Sequence, residues 1–128
     1  MTAEARLRGI VREIIASYFK MSDAEAEVSL ISAPKMRALN RAFRGLDRAT
    51  NVLSFETPKN FPVAPGAPRM LGEVYLCPSY IKAKGEDLDY LAVHGLLHLT
   101  GFSHEKNRDR IRMKSTEQKI FRWLKNRF

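Results

Sequence analysis

All three histidines of the chain lie in one eleven-residue segment, HGLLHLTGFSH, at positions 94, 98 and 104. Because His94 and His98 are four residues apart, a helix would place them on one face, within reach of one metal ion. Gly101 can end that helix through a left-handed conformation and so return His104 to the same point. Three imidazoles with one open coordination position are the ligand set of a catalytic zinc ion. The segment therefore predicts one Zn²⁺ ion with a catalytic role.

The residue after the first histidine separates two classes of metal enzyme. In zinc proteases with this histidine spacing, that residue is a Glu that acts as general base on water. Here it is Gly95. A metal together with a cation can still stabilise the transition state of phosphodiester cleavage, and in RNA the 2′-hydroxyl of the substrate can be the nucleophile. The pattern favours phosphodiester cleavage, and a zinc protease is the weaker alternative.

The net charge points to a polyanionic partner. The chain has 128 residues, with 22 Lys and Arg against 14 Asp and Glu, which gives a formal charge of +8. Such an excess favours nucleic acid ahead of an acidic membrane surface. Basic clusters flank the histidine segment and predict a groove that follows an RNA backbone, whereas no aromatic array for base stacking is visible. The clusters comprise Arg37, Arg41, Arg44 and Arg48 upstream, and Lys106, Arg108, Arg110, Arg112, Lys114, Lys119, Arg122, Lys125 and Arg127 downstream.

Length, composition and cysteine content predict a single soluble domain over residues 1–128. The lone Cys77 cannot form an internal disulfide, which favours a reducing compartment and therefore the cytoplasm. Charges interrupt every apolar run, so no membrane segment or membrane partner is expected. Glu4 and Glu13 make the N-terminal segment a first helix rather than a targeting peptide.

The elements that must position the histidines can be read from apolar spacing and from turn residues. They predict an α+β fold in which a proline-rich surface excursion at 57–69 separates two strands. Helices are predicted at about 2–20, at 33–44 before Gly45, at 87–100 before Gly101 and at 107–127, and strands at 28–31, 51–55 and 71–77, the last closed by Pro78.

Three blocks in this order, LNRAFRGLDRATNVLSFE, LGEVYLC and HGLLHLTGFSH, resemble the YbeY family of bacterial endoribonucleases, also called rRNA maturation factors, over about residues 36–124. The resemblance implies a small mixed four-stranded sheet with about five helices and a zincin-like metal site. It implies a zinc-dependent, single-strand-specific endoribonuclease in maturation of the 16S rRNA 3′ end and in ribosome quality control. Ribosomal RNA and the small ribosomal subunit with its proteins are the implied partners. A metal-containing assembly factor that binds RNA with little catalysis stays open, because no general base is visible.

Carried over by residue, the resemblance makes His94, His98 and His104 the zinc ligands and gives catalytic roles to Arg44 and His94. A guanidinium such as that of Arg44 can bind a phosphate through paired hydrogen bonds and keeps its charge. Ser103 stands where many relatives have Asp, so a carboxylate that would orient a ligand histidine is missing there. Glu117, on the apolar face of the last helix, is a candidate partner for such a histidine, although a buried ion pair or a capping role is equally open. The candidate substrate-binding residues are Arg41, Arg48, Thr50, Asn51 and Ser54, of which the last three are as well explained by hydrogen bonds within the protein.

Overall fold

A computed structural model describes residues 1–102 and 106–127 of the chain. Within these ranges it confirms an α+β architecture with five α-helices, but its sheet has three strands where four were expected. The helices are Ala3–Glu13 (α1), Ala33–Arg44 (α2), Pro78–Ala83 (α3), Leu88–Leu99 (α4) and Asn107–Arg127 (α5), and the strands are Ala24–Leu30 (β1), Val52–Glu56 (β2) and Arg69–Leu76 (β3).

The first helix is shorter than predicted and changes its geometry at its end. The Thr2 hydroxyl accepts a hydrogen bond from the Ala5 amide at 3.1 Å and caps α1. After Glu13 the chain continues as one π-helical turn, Ile14–Tyr18. Both Ile14 and Ile15 are buried there, so the wider turn allows two consecutive isoleucines to face the core.

The sheet is mixed, as expected, with strand order β1-β3-β2. Strand β3 lies in the centre, parallel to β1 and antiparallel to β2. Val74 of β3 is opposite Val28 on one side and opposite Ser54 on the other. Strand β2 is therefore an edge strand; it contains the candidate residue Ser54 and directly follows the candidates Thr50 and Asn51.

Local sequence signals fix the start and end of α2 and the start of α3. Helix α2 begins after Ser32, whose hydroxyl accepts from the Lys35 amide at 3.4 Å, and ends at Gly45 in the left-handed conformation, φ 72°. Both ends agree with the prediction. Strand β3 ends at Leu76, just before Pro78 as predicted, and Pro78 also opens α3, because proline fits the first turn of a helix.

Helix α4 packs across β2 and β3 on one side and contacts α1 and α5. Together with the sheet these helices enclose the main buried cluster of aliphatic side chains. The segment between β2 and β3 has no regular secondary structure apart from turns, as its prolines predicted. No helix in residues 1–102 or 106–127 is long and apolar enough to cross a membrane.

Candidate active site

Helix α4 presents the two described histidines. The helix begins at Asp87, whose carboxylate accepts a hydrogen bond from the Tyr90 amide at 3.0 Å. Between Leu91 and Leu99 every residue is buried except His94 and His98. A helix that is apolar on all sides belongs in a protein interior. The surface that α4 retains in this stretch consists of the two imidazoles.

The two imidazoles converge on one point. Their Nε2 atoms are 3.3 Å apart, and their ring centroids are 4.9 Å apart at an interplanar angle of 76°. Two nitrogens bound to one tetrahedral Zn²⁺ at about 2.0–2.1 Å are themselves about 3.4 Å apart. The described pair therefore fits two positions of a zinc ion. Predicted ligand His104 and its neighbour Ser103 lie outside the described residues, and residues 1–102 and 106–127 contain no group of three metal-ligating side chains.

A buried carboxylate orients the first of these histidines. Glu117 of α5 is 2% exposed, and its Oε1 lies 2.8 Å from Nδ1 of His94. A carboxylate in this position accepts a hydrogen bond from an Nδ1–H group, and the tautomer that supplies this group has its lone pair on Nε2.

Tyr90 completes the wall beside His94. Its ring is stacked on Phe121 with centroids 5.8 Å apart, and it lies 6.4 Å from the His94 ring. Burial first, and then the Glu117 carboxylate, raise the pKa of the Tyr90 hydroxyl to about 12. The tyrosine therefore remains neutral at physiological pH. Tyr90 was not among the predicted site residues, although its position four residues before His94 was a usable signal.

Arg44 lies in the same pocket as a histidine. A pocket of about 370 Å³ is lined by Arg44, Ser54, Phe55, Glu56, His98 and Leu99. Nη2 of Arg44 donates to the backbone oxygen of Ser54 at 3.1 Å, and the guanidinium carbon lies 5.2 Å from the Phe55 ring centroid. The end of α2 and the edge strand thus hold the guanidinium beside the histidine face of α4.

Three polar candidates make hydrogen bonds within the protein. Ser54 donates its hydroxyl to the backbone oxygen of Gly95 at 3.0 Å and thereby ties β2 to α4. The Asn51 amide nitrogen donates to the Glu86 carboxylate at 3.2 Å, and its Oδ1 accepts from the Val52 amide at 2.7 Å. The Thr50 hydroxyl donates to that same Oδ1 at 3.4 Å. Each contact stabilises the edge strand.

Of the two other arginine candidates, Arg41 lies in α2 and Arg48 follows the helix. Arg41 lines a separate pocket of about 590 Å³ together with Arg37 and Asp47. The hydrogen bond from Arg37, with a smaller contribution from Arg41, holds the pKa of Asp47 below its usual value. The backbone oxygen of Arg48 accepts from the Asn40 side chain at 2.9 Å, which fixes the chain after Gly45. Arg41 and Arg48 are not among the residues that line the pocket of Arg44 and His98.

Position 95 has no space for a side chain. A Cβ atom built on Gly95 would lie 2.7 Å from Cγ1 of Val74, 3.0 Å from Oγ of Ser54 and 3.2 Å from Cγ2 of Val52. The residue after the first histidine thus faces the sheet rather than the pocket. A Glu at this position would have to displace β2 and β3, so this backbone excludes the general base of the zinc proteases from that position.

Comparisons with known proteins agree on one family. The family model described as Endoribonuclease YbeY matches residues 1–125. Endoribonuclease YbeY of Rhodopseudomonas palustris strain BisB5 is 36% identical over 140 residues, covering 95% of this chain and 72% of the relative. Endoribonuclease YbeY of Chelativorans sp. strain BNC1 is 35% identical over 134 residues, covering 95% and 82%.

The solution structure of TM1509 from Thermotoga maritima has the same fold. It matches with a TM-score of 0.57 at 22% identity and covers 98% of this chain and 89% of that chain. The family model and the relatives extend over both the Arg44 segment and the histidine helix. The chain belongs to the YbeY family of endoribonucleases.

Proposed function

We propose that this protein is a metal-dependent endoribonuclease that cuts single-stranded segments of ribosomal RNA. Membership of the YbeY endoribonuclease family makes RNA the class of substrate. The single observation that supports catalysis most directly is the pocket that Arg44 shares with His98, whose Nε2 converges with that of His94. A cation fixed beside paired metal-ligating nitrogens is an arrangement suited to a phosphodiester.

His94, His98 and, outside the described residues, His104 would hold the metal. Neutral imidazole nitrogens suit Zn²⁺, and the 3.3 Å separation of the described pair supports that ion. When bound, zinc supplies a Lewis acid that stabilises negative charge on phosphate oxygens. Glu117 keeps the Nε2 lone pair of His94 directed away from α5 by holding the proton at Nδ1.

Arg44 binds the scissile phosphate in this proposal. Its guanidinium has five N–H donors, and the backbone oxygen of Ser54 takes one of them. The remaining donors can form paired hydrogen bonds with phosphate oxygens, which strengthen as charge builds up in the transition state. The contact with Phe55 holds the guanidinium plane in place before the substrate arrives.

The finer substrate assignment is the 3′ end of 16S rRNA, with the small ribosomal subunit and its proteins as partners and the cytoplasm as the place of action. The net charge of +8 supports a ribosomal surface rich in phosphate. Much of that charge comes from the basic residues of α2, which precede the histidine segment along the chain, and from those of α5, which follow it.

Cleavage of a labelled single-stranded RNA that contains the 16S 3′ end tests the proposal. Zinc content is measured first, and wild type is compared with His98→Ala and Arg44→Gln. Each substitution is expected to lower the cleavage rate about 100- to 1,000-fold, the effect of removing one group that stabilises transition-state charge. Arg12→Gln on α1 is the matched control and is expected to retain full activity. Equal cleavage by all four proteins would identify a contaminating nuclease, and tight subunit binding without cleavage would favour an assembly factor.

A further inference from the structure

A second cavity adjoins the pocket of Arg44 and His98. It has a volume of about 590 Å³ and lies between the proline-rich segment after β2 and the end of α4. We name it the loop cavity, after its lining residues at positions 57–59, 61–64 and 67–69. Glu56 and Leu99 line both the loop cavity and the pocket of Arg44 and His98. The two cavities therefore share part of their walls, so adjacent parts of one RNA strand could occupy both.

The wall of the loop cavity leaves apolar surface in solvent. Phe61 is 61% exposed and Val63 is 50% exposed, and both line the cavity. Single exposed apolar residues are ordinary, but two on one segment that face one cavity indicate a binding surface. The Phe61 amide donates to the Pro58 oxygen at 3.0 Å, and prolines at 58, 62 and 68 restrict the backbone. These features reduce the conformational freedom of the segment, which lowers the entropy cost of binding a ligand there.

The lining of the loop cavity carries charges of both signs, two cations and, where it meets the pocket of Arg44 and His98, one carboxylate. Lys59 and Arg69 are among its lining residues and attract a polyanion. Glu56, where the two cavities meet, repels a phosphate but can accept hydrogen bonds from the amino groups of bases. The volume is within the range of about 300–1,000 Å³ that is typical of small-ligand sites. A flat, partly apolar group on a charged backbone satisfies all of these conditions.

We propose that the loop cavity binds one unpaired base of the RNA strand, stacked on the Phe61 ring, next to the phosphate held by Arg44. The inference rests on the proposed function and identifies a subsite within it. A base in a duplex is already paired and stacked, so it cannot enter the cavity without disrupting its helix. Occupation of the loop cavity by a flipped or unpaired base therefore provides a physical basis for single-strand selectivity.

Fluorescence of a 2-aminopurine base tests the stacking. The zinc-loaded full-length protein is titrated with a 2′-O-methyl RNA strand that contains this base, and a gel confirms that the strand stays intact. Wild type is expected to quench the fluorescence. Phe61→Ala is expected to lose the quenching and to bind about 5- to 150-fold more weakly, the range for loss of one base–aromatic stack. Phe61→Trp is expected to keep both properties, and Ile111→Ala, which truncates another exposed apolar residue on α5, is the matched control.

Cleavage of RNA strands with one abasic residue, moved position by position past the cut site, supplies the second measurement. An abasic residue at one position next to the cut is expected to slow cleavage by wild type. The same substrate is expected to be cut by Phe61→Ala at the rate that this variant shows with the intact strand. Unchanged binding and quenching by Phe61→Ala, as would follow if the cavity received a protein segment, would overturn this inference while leaving RNA cleavage by wild type intact. A wild type that neither bound nor cut RNA would overturn the proposed function itself.

Discussion

At the scale of single residues, the contact between His94 and Glu117 orients the imidazole that the proposed function assigns to a metal ion. The carboxylate is 2% exposed, and its removal from water is offset by the hydrogen bond at 2.8 Å to Nδ1 of His94. That hydrogen bond fixes the tautomer and the plane of the ring at once. The pair joins α5 to α4, so a residue 23 positions along the chain controls which nitrogen of His94 is offered to a metal.

Glu117→Gln is expected to weaken metal binding. Glutamine has nearly the same shape, but a neutral amide is a weaker acceptor than a carboxylate and orients the imidazole less firmly. Loss of such a partner typically costs about 10- to 100-fold in metal affinity. Competition for Zn²⁺ against a chromophoric chelator measures the change without any activity assay. Glu25→Gln on β1, where the carboxylate is exposed, is the control, and equal zinc affinities for the two variants would refute the positioning role.

At the scale of elements, the close approach of α4 to the sheet brings the histidines and Arg44 together. Gly95 allows the helix backbone to touch Val74 and Ser54, and the Ser54 hydroxyl then holds the Gly95 oxygen at 3.0 Å. The backbone oxygen of the same serine accepts from Arg44 at 3.1 Å. One residue of the edge strand therefore sets the separation between the ends of α4 and α2 that form the pocket.

Gly95→Ala is expected to lower the free energy of unfolding by about 1–3 kcal/mol, the usual cost of overpacking a core. The new Cβ would come within 2.7 Å of Val74, which is fully buried and cannot yield. Gly9→Ala on α1 is the matched control, because nothing lies within 4 Å of its Cβ position, and it is expected to stabilise the helix by about 0.5–1 kcal/mol. Urea denaturation measures both. A stable Gly95→Ala protein would mean that the helix can withdraw from the sheet at little cost.

Local patterns predicted the elements that carry local signals and missed those that lack them. Helices α2 and α4 lie where predicted. Their signals are local: a serine cap and a terminal glycine for α2, and a run of apolar residues for α4. Strand β1 begins at Ala24, four residues before the predicted start at Val28. The prediction missed the first half because this half alternates alanine with glutamate and has no β-forming residues. The six-residue helix α3 has too few residues for a periodic signal.

At the scale of the whole molecule, the site draws on segments far apart in the chain. The pocket combines the end of α2, the edge strand β2 and helix α4. The carboxylate that contacts His94, that of Glu117, comes from α5. The histidine spacing was enough to predict His94 and His98 as candidate metal ligands, because both are on one helix. The juxtaposition of Arg44 with His98, and the loop cavity beside them, depend on packing between elements, which the sequence pattern alone does not specify.

The salt dependence of RNA binding tests whether the charge on α2 extends the site. Each phosphate contact with a single strand contributes about −0.7 to the slope of log Kobs against log salt concentration. Arg41 is one helical turn before Arg44 and lines the neighbouring pocket on α2, so Arg41→Gln is expected to reduce the magnitude of the slope by about 0.7. Arg12→Gln is the control, because α1 packs beside β1 at the sheet edge opposite β2, and its slope is expected to equal that of wild type. Identical slopes for the two variants would show that Arg41 makes no phosphate contact and would limit the RNA path to the pocket of Arg44 and the loop cavity.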